Sequence, residues 1–200
     1  MGVLGLVHAL RRDVVSPSGP LVEPWEGRAV IVFYGGVALT CFGSSYYHLF
    51  PSNETLFWDR LPMTFGFMAL FAMVIGERLS PSLGRRLLVP LVVSGVASVV
   101  YWHLSEKSGQ GDLRPYVLVQ FFPLVAVPLL LALLRPRYTH SADYFLVIGW
   151  YALAKVLEVL DRPIFESSGQ LVSGHSLKHL AAAMATYWLL LMLRRRRTLE

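Results

Sequence analysis

The chain has 200 residues, of which 54% are apolar and only 16% charged, with a mean hydropathy of +0.51. An ordinary soluble domain is about a quarter charged, and a chain of this size has too much surface for its volume to hide so much apolar area from water. A soluble globular enzyme is therefore excluded. So is a nucleic-acid groove, because the net charge of +5 comes from basic residues between apolar runs and in the tail, which is the distribution of membrane topology. The single cysteine, Cys41, lies inside an apolar run, so neither a disulfide framework nor a thiolate metal site is expected.

In chain order, the first segment is Gly2 to Leu10, apolar but about half the length needed to cross a bilayer. A secretory signal carries its positive charge before the apolar stretch, whereas Arg11 and Arg12 follow it, and Leu6 breaks the myristoylation pattern. The segment is expected to be the last half of a helix whose first half is missing, with a short interfacial helix as the alternative. Six runs of spanning length follow, at roughly Ala29–Leu49, Leu61–Leu79, Leu87–Leu104, Pro115–Leu134, Ala142–Leu160 and His175–Leu193. Turn and breaker residues separate them, among them Pro51-Ser52-Asn53, Ser80-Pro81-Ser82 and Ser108-Gly109-Gln110-Gly111. The expected fold is all-α: one polytopic transmembrane bundle over residues 1–200, with six full spans, a remnant of a seventh at 1–12 and a basic tail at 194–200.

Basic residues set the orientation. One side receives Arg11, Arg12, Arg28, Arg78, Arg85, Arg86, Arg135, Arg137 and Arg194 to Arg197, twelve in all; the other receives Arg60, Lys107, Arg114 and Arg162, which is four. Twelve against four places the C-terminus in the cytoplasm. In that orientation Ser44, His48, Asp59, His103, Gln120, Lys155, Glu158, His175, Lys178 and His179 all fall in the outer halves of the spans, and the inner halves are almost purely apolar. Ionisable residues in hydrocarbon carry a penalty of about 2.5–3.5 kcal/mol each, so their grouping at one depth predicts one polar pocket facing the outer leaflet.

Within it, His175 and His179 stand at i and i+4, so both imidazoles project from one helix face with a spacing that suits a shared metal. A catalytic zinc takes three protein ligands, and His48 is the best third candidate. Ser44 stands one turn before His48, about 6 Å along the axis. Asp59 follows after a short connection. This is the inventory of a metal-assisted hydrolase: a metal to acidify water, a carboxylate to take its proton and a donor for the oxyanion. Structural alternatives stand beside each reading. Ser44 could bond its own backbone, Asp59 could cap the second span, and Lys155 with Glu158 could simply neutralise one another.

The pattern Ser44-x-x-x-His48, then Asp59 eleven residues on, then His175-x-x-x-His179 opening the last span resembles the signature of the alkaline ceramidase and adiponectin-receptor-like (CREST) superfamily. Phe42-Gly-Ser-Ser-Tyr-Tyr-His48, Trp58-Asp-Arg-Leu-Pro-Met63, Leu160-Asp-Arg-Pro163 and Ser173-Gly-His-Ser-Leu-Lys-His179 are most similar to its bacterial ceramidase-like members. The resemblance runs from about Trp25 to Leu193. It implies seven spans, a bacterial inner-membrane location, and Zn²⁺ held by His48, His175 and His179. It also implies hydrolysis of the amide of ceramide or another N-acyl lipid, with Asp59 orienting or deprotonating water and Ser44 stabilising the oxyanion. The acidic calcium-binding N-terminus of eukaryotic relatives has no counterpart, so no calcium regulation is expected. Two other functions stay open at this point. One is a receptor-like or haemolysin III-like membrane protein with a structural zinc; the other is a proton path along Tyr151, Lys155 and Glu158.

Overall fold

A computed structural model describes residues 1–10 and 21–199. Among them are eight helices and no sheet: α1 (Gly2–Ala9), α2 (Pro24–Leu49), α3 (Asn53–Arg78), α4 (Pro81–Lys107), α5 (Arg114–Leu133), α6 (Asp143–Val159), α7 (Asp161–Ser167) and α8 (Gly174–Arg195). Five of these, α2, α3, α4, α5 and α8, are long and apolar enough to cross a membrane, as an integral membrane protein requires. The expected fifth span appears as α6, a 17-residue helix that stops at Leu160 and gives way to the seven-residue α7. Arg11 and Arg12 lie outside the described residues.

The chain forms two compact units. The first comprises Met1–Thr139 with Arg197–Glu200, and the second His140–Arg196. In the first, α3 is central: 61% of its apolar window is buried, against about a third or less for α2, α4 and α5. Every residue from Met68 to Glu77 is buried. The helix starts eight residues earlier than its apolar run because Ser52 caps it. The Ser52 hydroxyl accepts from the Thr55 N–H at 3.1 Å, and the Thr55 side chain accepts from the Ser52 N–H at 3.1 Å. Asp59 is therefore two turns inside α3 and is no cap.

The ends of α2 and α3 remote from the Pro51 turn are not purely apolar, contrary to the sequence expectation. Glu26 is buried, accepting from the Val22 and Glu23 N–H groups at 2.9 Å each and from the Tyr138 hydroxyl at 2.8 Å. The Glu77 and Arg78 side chains are 1% and 4% exposed, and Arg78 donates to the Leu134 carbonyl at 2.6 Å. Helix ends leave backbone donors and acceptors unmatched, and buried charged side chains here meet that need. The C-terminal strip closes the same unit: the Thr139 N–H bonds the Arg197 carbonyl at 2.8 Å and the Leu199 N–H the Arg137 carbonyl at 2.9 Å. In the second unit, α6 packs along α8, and α7 connects them.

Candidate functional site

The five expected site residues divide between the units. Ser44 and His48 on α2 and Asp59 on α3 belong to the first; His175 and His179 on α8 belong to the second.

In the first unit, the side chains of interest are placed by a close crossing of α2 and α3. Pro62 has no N–H, so the Trp58 carbonyl four residues earlier loses its helical donor. That carbonyl lies against Gly43, where a methyl group would overlap its oxygen and stand 2.7 Å from its carbon and 3.2 Å from the Asp59 Cα. Only glycine admits this approach, and it brings the Asp59 backbone against α2 one residue from Ser44. Ser44 and Asp59 are both half-buried. Neither makes a side-chain hydrogen bond among the described residues, whereas the neighbouring Ser45 donates to the Cys41 carbonyl at 2.7 Å. The back-bonding alternative for Ser44 thus belongs to Ser45. His48 is exposed, with its ring centroid 5.4 Å from that of Tyr47.

The other polar residues expected here take other partners. His103 stands 3.4 Å from a Glu54 carboxylate oxygen, and its ring lies against Phe57 at 4.8 Å. Gln120 is buried within α5. At the α4–α5 turn, Asp112 accepts from the Arg114 Nε and Nη2 at 2.8 and 2.9 Å. That fork, helped by the Arg114 backbone N–H, holds the Asp112 carboxyl well below the usual carboxylate range.

In the second unit, the start of α8 is fixed from two directions. Ser173 caps it by accepting from the Ser176 N–H at 3.0 Å, and Asp161, the first residue of α7, accepts from the His175 N–H at 2.7 Å. Gly174 lets this point approach Asp161 and the Leu157 carbonyl, where a side chain would collide. On this pinned turn the Nε2 atoms of His175 and His179 face one another at 3.2 Å. That is the length of a hydrogen bond between the two rings, and it is also close to the separation of about 3.3 Å that two zinc–nitrogen bonds of about 2.0–2.1 Å at a tetrahedral angle would give. Close by in the same unit, Glu158 accepts from both Lys155 and Lys178, the latter at 2.7 Å. A carboxylate clamped by two ammonium groups is a structural ion triad, in line with the neutralisation expected for Lys155 and Glu158. Reading the sequence missed Asp161, although its place in Leu160-Asp-Arg-Pro163 just before the histidine pair was the available signal.

No family model matches the chain, and no curated protein or solved structure is significantly similar to it. The resemblance therefore rests on the residues quoted for it.

Proposed function

We propose that the chain is a zinc-dependent intramembrane hydrolase that cleaves the amide bond of an N-acyl lipid of the ceramide type. One observation carries this reading more than any other: two imidazole nitrogens are held at zinc-ligand separation on a helix start anchored by Asp161 and Ser173. His48 completes the ligand set, with α6 serving as the sixth crossing. Zinc, when bound, supplies a Lewis acid that polarises the acyl carbonyl and acidifies water.

The chain's own residues do the rest. Asp59, half-buried and without a hydrogen-bonded partner among the described residues, takes the proton from water as the C–O bond forms. It returns that proton to the amine nitrogen as the C–N bond breaks, so the products are a fatty acid and an amine-bearing base. Ser44, equally uncommitted, donates to the oxygen on which charge develops. The acyl chain stays in hydrocarbon throughout, which suits a site in the outer half of the spans with the C-terminus in the cytoplasm.

The test is turnover of defined N-acyl lipids, ceramide first, by purified protein in lipid nanodiscs. Release of fatty acid that chelators abolish and zinc restores is the expected result. Stoichiometric zinc with no turnover of any N-acyl lipid would overturn the hydrolase and leave the metal structural.

A further inference from the structure

Arg60 follows Asp59 on α3, yet the hydrolysis above makes no use of it. Its guanidinium carbon lies 4.3 Å from the centre of the Trp102 ring and 5.3 Å from that of Tyr116. Both rings are buried, at 3% and 4% exposure, in a packed cluster with Val99, against which Leu56, Leu61 and Leu113 also rest. The cation is thus spread over a rigid apolar wall. Such contacts engage the faces of a guanidinium and leave its five N–H donors, which lie in its plane, unanswered.

Among the described residues nothing answers them. No carboxylate oxygen lies within 4.0 Å of Arg60, and no hydrogen bond from it is formed. Asp59 and Glu106 attract it only through space. Glu106 is committed to the Asn53 amide at 2.7 Å, and Glu54 to His103 and Lys107. The contrast with Arg114 is informative, since that exposed arginine has its own aspartate. Arg60 stands seven residues into a 26-residue span, about 10 Å along the axis from its start. The apolar run of α3 begins at the next residue, Leu61, so Arg60 stands at the polar boundary of that run, where headgroups would meet acyl chains. A guanidinium with a free donor edge at that depth matches one chemistry, a planar or tetrahedral oxyanion bound bidentately.

We infer that Arg60, braced on Trp102 and Tyr116, is the binding site for the oxyanionic group of a long-chain lipid. The oxyanion is either a phosphate on the lipid to be cleaved or the carboxylate of the fatty acid released. The inference takes from the hydrolase reading only the fate of the lipid once bound. Its test reads binding without turnover, so the two can fail separately.

The experiment is equilibrium binding of radiolabelled dioleoylphosphatidic acid, oleate and dioleoylglycerol to the detergent-purified full chain. At least one of the two anionic lipids should bind roughly tenfold more tightly than dioleoylglycerol, and Arg60→Gln should remove that margin. Preference for phosphatidic acid identifies a headgroup phosphate, and preference for oleate a product carboxylate. Arg60→Lys keeps the charge and loses the fork, so it should lose several-fold in affinity; it decides the matter should Arg60→Gln fail to fold. Arg114→Gln should leave binding unchanged. Equal binding of all three lipids, no effect of either Arg60 substitution, or equally strong competition by inorganic phosphate or acetate would overturn the assignment.

Discussion

Replacing Gly43 by alanine probes the α2–α3 crossing, and its size can be worked from the geometry. The added methyl would stand 2.7 Å from the Trp58 carbonyl carbon, where an ordinary contact needs about 3.5–4.0 Å. The obstacle is backbone, which cannot rotate aside, so the helices must part by about 1 Å. Overpacking of this kind costs about 1–3 kcal/mol, and the gain in helix propensity returns no more than about 1 kcal/mol. The net loss of about 1–2 kcal/mol lowers Tm by about 2–8 °C for a chain of this length. The displaced group is Asp59, and a shift of about 1 Å can lower a rate by about a hundredfold. Gly35→Ala is the matched control, because nothing lies within 4 Å of a methyl placed there. Thermal unfolding in detergent, followed by circular dichroism, with lipid turnover measured on the same samples, should separate the two variants. Equal melting temperatures and equal turnover for Gly43→Ala and Gly35→Ala would refute the crossing as the element that positions Asp59.

Asp59→Asn should bind zinc like the parent but turn over N-acyl lipid about 10²–10⁴ times more slowly, as metal analysis and fatty-acid release on one preparation would show. Ser52→Ala should lower stability by about 0.5–2 kcal/mol, read as a fall in melting temperature, because it removes the cap that starts α3 two turns before Asp59. Asp161→Ala should weaken zinc retention under dialysis against chelator, since it frees the His175 backbone. Asp112, held by Arg114, should remain ionised at a pH where free aspartate takes up a proton. Its depressed folded value means that its contribution is present above the ordinary carboxylate range and is lost only as pH falls well below it. A carboxyl titration by NMR, repeated with Arg114→Gln and in high salt, checks the sign.

The spans were legible because lipid demands long apolar runs, and five of them appear as helices of spanning length. Their starts were less so. The apolar run of α3 begins at Leu61, but Ser52 and Thr55 extend the helix backward through polar residues that hydropathy cannot credit to a span. The spacing of His175 and His179 fixed their shared face from helix geometry alone. What it could not show was the bracing of that face by Asp161, which depends on a turn between helices. Likewise, apolar patterning gave no hint that Glu26, Glu77 and Arg78 are buried, because Glu26 and Arg78 bond backbone groups at helix ends and none of the three belongs to the apolar periodicity. Nor could it show Pro62 freeing the carbonyl that Gly43 receives, since that pairing joins residues on two helices.

The most direct measurement is zinc stoichiometry with X-ray absorption on the purified full chain and on His48→Ala, His175→Ala and His179→Ala. The expected result is about one zinc per chain with three imidazole nitrogens at about 2.0–2.1 Å, and loss of most of the metal in each variant. A protein that takes up no zinc, or one that keeps it undiminished without His48, would contradict the proposed metal centre.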